Sequence, residues 1–130
     1  MIRPLLALTL VGLVVSAPSP AAAQKRNPDL ITAEEMATRT DIQNALDAVR
    51  RLRGSWLRVR PGGTGQPEPI WVYVDNLKAG GPETLERINV IHIEEIRKLS
   101  ASDATTRYGT GHTSGVIQVS TIKVKQPPGA

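Results

Sequence analysis

Ile70-Trp71-Val72-Tyr73-Val74, residues 70–74, decides the fold. It is an unbroken β-branched and aromatic run bounded by Pro69 and by Asp75-Asn76, so it reads as a strand. Apolar at every position, it suits a central strand covered on both faces. A second strand is predicted over Gly115-Val116-Ile117-Gln118-Val119-Ser120-Thr121, where inward and outward side chains alternate. Upstream, Trp56-Leu57-Arg58-Val59-Arg60 also alternates, with one face to bury and one to wet, and predicts a further strand. Over Val90 to Leu99 the apolar positions 90, 91, 93, 96 and 99 fit a helix or a strand equally, and the periodicity leaves that choice open.

Helices fill the intervals. Thr32 and Glu35 form a capping-box pattern with Ile31 as a hydrophobic staple, which starts a short helix. Thr40 and Gln43 repeat the pattern. Ile42, Leu46 and Val49, with Ala45 or Leu52, then predict a second helix from Asp41 to about Arg53, ended by Gly54. Arg50, Arg51 and Arg53 fall in its last turn, where cations favour the helix dipole. Gly80-Gly81-Pro82 turns the chain into a short helix through Glu83, Leu85, Glu86 and Ile88. Ser102 to Tyr108 makes one or two helical turns, capped by Ser100 or Ser102 and stopped by Gly109. The stretch 61–69, with three glycines and three prolines, reads as a mobile loop, and 109–115 as another. The sum is an α+β fold: a small mixed sheet of about four strands with short helices packed on it.

The chain has 130 residues, 16 basic against 12 acidic, a net charge of +4 and no cysteine. That length allows one domain. The missing cysteines exclude disulfides, thiolate metal sites and thiol nucleophiles, so packing must hold the fold. Arg3, the apolar run Leu5 to Val15 and Ala21-Ala22-Ala23 before Gln24 form a secretory signal peptide over 1–23. The apolar run is too short to span a membrane, which takes roughly 20 residues. Residues 24–31 then read as a flexible lead-in, 32–122 as the folded domain and 123–130 as a basic, proline-containing tail. Export shifts the partners expected of a basic face from nucleic acid to anionic groups of the cell envelope.

Catalytic signals are missing. His92 and His112 have no second ligand at metal spacing, so neither a metal nor another cofactor is expected. Gly111-His112-Thr113-Ser114-Gly115 is not a nucleophile elbow, and Gly109-Thr110-Gly111 precedes a strand instead of opening a helix. Glu94-Glu95 and Glu83 with Glu86 read as a solvated face, and Asp75 as a turn cap.

The order of segments resembles the plug domain of TonB-dependent outer-membrane receptors. Ile70 to Asn76 is similar to that domain's hydrophobic strand followed by Asp-Gly. Leu85-Glu86-Arg87-Ile88 and Ile93 to Leu99 are similar to its Ile-Glu-x-Ile segment, which implies a strand over Glu94 to Leu99. Ser102 to Gly109 is similar to its Ala-x-x-x-Tyr-Gly turn, and Gly115 to Thr121 to its closing Gly-Val-Ile strand. Asn76 and Ser100 stand where the family pattern has glycine, no Ton box is readable between Gln24 and Ile31, and nothing within these 130 residues reads as the strands of a barrel.

The resemblance implies an exported, non-catalytic binding or interaction module at the cell envelope, periplasmic or associated with the outer membrane and without a barrel of its own. Its partner would be an outer-membrane barrel or another envelope protein. Candidate contacts are the loop with Gly62 and Gly63, the connection with Lys78, Gly80 and Gly81, and the loop with Gly109, Gly111 and His112. An alternative is a basic adaptor gripping anionic polymer or lipid headgroups through Arg50, Arg51, Arg53, Arg58 and Arg60. A small secreted hydrolase ranks third.

Overall fold

A computed structural model describes residues 26–61 and 65–123. The expected signal peptide, the glycines Gly62 and Gly63 and tail residues 124–130 lie outside the described residues. Strands β1 (Leu30–Thr32), β2 (Trp71–Val74), β3 (Leu77–Gly80), β4 (Ile93–Leu99) and β5 (Val116–Thr121) form one mixed sheet in the order β1-β4-β5-β2-β3. Helices α1 (Ala33–Ala37), α2 (Ala45–Arg53) and α3 (Ala101–Tyr108) pack on it, with 3-10 turns at Gly54–Leu57, Pro82–Arg87 and Val90–His92. The class is α+β as expected, with five strands in place of about four.

The sheet has two unlike faces. Because side chains alternate along each strand, Ile31, Ile96, Ile117, Val119 and Val72 point to one side, where Met36, Leu46, Val49, Trp56, Ile70 and Leu85 close the main core. Trp71, Tyr73, Leu99 and Val116 point to the other, where α3 lays Ala104 and Tyr108 over them. Both faces of β2 are therefore covered, as its unbroken apolar run predicts. Ser100 caps α3 by accepting from the Asp103 amide at 3.1 Å, and Thr32 caps α1 in the same way through Glu35 at 3.2 Å.

Four local expectations are corrected. Trp56 to Arg60 is not a strand. Trp56 turns inward in a 3-10 helix, where its indole N–H donates to the Pro28 carbonyl at 3.2 Å, and Arg58 to Arg60 run exposed beyond it. The lead-in is not flexible throughout, because Leu30 to Thr32 pairs antiparallel with β4, Ile31 opposite Ile96. Helix α2 begins at Ala45 instead of Asp41, since the Asn44 side chain accepts from the Asp47 amide at 2.9 Å and fixes the first turn there. Leu77 to Gly80 is not a loop but strand β3 of a tight hairpin with β2. Asp75 and Asn76 make that hairpin's turn at φ 48° and 69°, the left-handed values a two-residue hairpin needs and an asparagine tolerates.

One glycine is dictated by close approach. Gly115 has φ +79°, and a Cβ there would sit 2.5 Å from the Leu99 carbonyl oxygen of the neighbouring strand. Gly54, where the sequence ends α2, has φ −54° and open space around it, because the chain continues into the 3-10 turn. Gly115→Ala should therefore cost roughly 3 kcal/mol of stability through backbone strain and overlap. Gly54→Ala should be neutral or stabilising by up to about 1 kcal/mol. Urea denaturation of the two variants checks both.

Candidate functional site

Strand register collects the loops at one end of the sheet. Trp71, at the start of β2, lies opposite Val116 at the start of β5; Leu99, at the end of β4, also lies opposite Val116; and Val72 lies opposite Gly80 at the end of β3. The described parts of the connections, 57–61, 65–70, 80–82 and 109–115, thus share that end, and the Asp75-Asn76 turn occupies the other. At the shared end the Ser114 hydroxyl donates to the Glu68 carbonyl at 2.8 Å and accepts from the Arg60 amide at 3.2 Å. The Thr113 amide donates to the Glu68 carboxylate at 3.0 Å, and the Thr113 hydroxyl reaches the same oxygen. Two loops singled out separately are therefore one tied surface.

Beneath it lies a polar and aromatic network. Tyr73 and Tyr108 stack with ring centroids 3.8 Å apart. His112 is buried, its Nδ1 2.8 Å from the Gly109 carbonyl and its Nε2 3.1 Å from the Tyr73 hydroxyl. A carbonyl only accepts, so Nδ1 carries the proton, and in the neutral ring Nε2 accepts from Tyr73. Both ring nitrogens are thereby engaged within the chain. Farther along the same face, the Asn76 side-chain oxygen accepts from Gln118 at 2.9 Å and from Tyr108 at 3.3 Å, and Arg107 donates to Gln118 at 3.1 Å. Of these residues the sequence singled out His112 and Gly109 as candidates. The signal for the others is the two-residue step that puts Trp71 with Tyr73, and Val116 with Gln118, on one face.

The remaining candidates separate. Lys78 lies in β3 opposite Tyr73, with its ammonium 3.6 Å from the centre of the Trp71 ring, a contact of about 0.5 to 1 kcal/mol at an exposed position. Gly81 donates its amide to Glu83 at 3.2 Å, where the chain enters the Pro82 turn. Gly109, at φ +91°, ends α3, and Gly111, at φ +90°, bends the loop that follows.

The arginine cluster is not one patch. Arg53 is an internal clamp: its guanidinium meets both Glu35 oxygens at 3.0 and 3.3 Å and donates to the carbonyls of Asn27, Pro28 and Leu30 at 3.1 to 3.2 Å. This tie, with the Trp56 indole on the same Pro28 carbonyl, explains why the residues before β1 are held. Arg51 pairs with Asp41 at 2.8 Å, and Arg50 is exposed.

Asp75 closes the opposite end. Its carboxylate accepts from the Thr121 amide at 3.0 Å and from the Thr121 hydroxyl, and its own amide donates to the Val119 carbonyl at 2.9 Å. The turn cap read from the sequence thus also binds the end of β5. The Thr121 hydrogen bonds hold the Asp75 carboxyl below its ordinary 3.8, with Lys123 adding a smaller effect.

Comparison with known proteins comes down to fold. No protein-family model matches the chain, and no curated protein matches it. A solved structure does: the siderophore receptor PirA from Pseudomonas aeruginosa, at 22% identity and a TM-score of 0.51, over 78% of this chain. The match spans 19% of the receptor, so this chain has the fold of about a fifth of a much longer protein.

Arg53→Met should cost about 3 kcal/mol, because it strands the largely buried Glu35 carboxylate. It should also speed amide exchange at Leu30 and Lys98, whereas Arg50→Ala stays within about 0.5 kcal/mol. For Asp75, the folded pKa lies below the unfolded one. Its stabilisation is therefore complete above pH 3.8 and is lost as the pH falls through the lower, folded value. Denaturation of Asp75→Asn against the parent, measured from pH 7 to pH 2, should show a gap that narrows only below about pH 4.

Proposed function

We propose that this chain is an exported, plug-like domain of the bacterial cell envelope that works by binding and not by catalysis. The observation that carries the reading is the sheet itself. Its order and connections give the fold shared with part of a siderophore receptor, and the segments similar to the plug pattern are the strands and turns that build it. The leader over 1–23 supplies the route out of the cytoplasm, with the mature chain starting at Gln24.

The binding surface is the loop end, where 57–61, 65–70, 80–82 and 109–115 meet on a rigid sheet. An outer-membrane barrel is the partner this reading favours, because the solved structure that shares the fold is a siderophore receptor and the segments along this chain resemble the plug of outer-membrane receptors. Carbonyls of the N-terminal segment and nearby carboxylates occupy Arg53 and Arg51, which disfavours the α2 arginines as a grip on anionic polymer.

A photocrosslinker placed at Thr110 in the native host tests the reading. It should capture an outer-membrane β-barrel protein, whereas one at Glu34, on α1, should not. The captured chain should begin at Gln24. Retention in the cytoplasm with Met1 intact, or equal capture from both positions, contradicts the proposal.

A further inference from the structure

A cleft of about 680 Å³ opens at the loop end, between the end of β4, the start of α3 and the exposed stretch 58–60. Arg58, Arg60 and Lys98 line it together with Ser55, and Asp29 and Asp103 stand at its wall. Asp103 is engaged by the Ser100 hydroxyl at 2.7 Å. Among the described residues, neither the Arg58 nor the Arg60 side chain has an ion-pair partner. Lys98 is part-buried and donates to the Trp56 carbonyl at a long 3.4 Å. Burial and the Arg60 charge push its ammonium below the ordinary range, with Asp29 opposing them. Like charges are thus held beside one another in a partly desolvated recess, an arrangement an entering anion relieves.

We infer that this cleft binds an oxyanion, and that a phosphate monoester is the group it fits best. Three cations against two carboxylates leave it net positive, and one carboxylate is already hydrogen-bonded. Two guanidiniums offer the planar donor forks that phosphate oxygens accept, and Lys98 supplies a point charge from the sheet side. The volume holds a phosphate together with a body the size of a sugar ring. This site goes beyond the envelope reading and stands whether or not the chain meets a barrel.

Calorimetric titration of the purified chain at low salt with glucose 6-phosphate, inorganic phosphate and glucose tests it. Vesicles of phosphatidylcholine with and without phosphatidic acid separate a soluble ester from a lipid-borne one. The phosphorylated probes, or the phosphatidic acid vesicles, should bind, and glucose or plain vesicles should not. Arg60→Gln and Lys98→Gln should each weaken binding about tenfold. Asp29→Asn should strengthen it, and Arg50→Gln, outside the cleft, should leave it unchanged. Arg60 is exposed, so its variant decides the matter if Lys98→Gln fails to fold. The site is overturned if no phosphorylated probe binds, if glucose binds as well as its phosphate, or if Arg50→Gln weakens binding as much as Arg60→Gln.

Discussion

Strand β5 is the constraint on which the rest of the molecule depends. It pairs antiparallel with β4 and parallel with β2, so both halves of the sheet hang from it. Val116 to Val119 are all buried because alternate residues enter different cores. Ile117 and Val119 meet the α2 side, while Val116 and Gln118 meet the α3 side. A slip of one residue would exchange those faces, driving Gln118 into the main core and Ile117 into the polar network. The close approach of Gly115 to the Leu99 carbonyl sets the point where β5 begins. Thr121, held by Asp75, sets where it ends.

Much of this is legible in the sequence, and what is not has physical reasons. The strands at 70–74 and 115–121 declare themselves because β-branched residues packed on two faces leave an unmistakable run. The caps are local chemistry: Thr32 reads directly as the cap of α1, and the cap of α3 narrows to Ser100 or Ser102, of which Ser100 makes the bond. Strand β1 is hidden because Leu30 to Thr32 is too short to carry a period, and its ordering depends on Arg53, more than twenty residues away. Strand β3 is hidden because Leu77 to Gly80 is an edge with three exposed positions, so no hydrophobic alternation marks it. Trp56 misleads because its burial comes from a 3-10 turn and a hydrogen bond to Pro28, which an alternation pattern cannot distinguish from a strand.

The candidate site divides along the same line. Among the described residues, 65–70, 80–82 and 109–115 lie at one end of the sheet, because register places the start of β2 and β5 beside the ends of β3 and β4, while Gly62 and Gly63 lie outside the described residues. The basic residues picked out by proximity in sequence do not act together. Helical geometry sends Arg53 into an internal clamp and Arg51 to Asp41, while Arg58 and Arg60, beyond the helix, reach the cleft with Lys98. What this chain shares with the receptor structure is the fold alone, and the ties between 57–61, 65–70 and 109–115 and the charges around them are read from its own residues.

Both halves of the sheet depend on β5 lying between β4 and β2, and interstrand nuclear Overhauser contacts measure that directly. In isotope-labelled protein, backbone contacts are expected from Val119 to Ile96 in antiparallel geometry and from Ile117 to Val72 in parallel geometry. Contacts placing β2 directly beside β4, or an antiparallel pattern between β2 and β5, would contradict the sheet order and everything built on it.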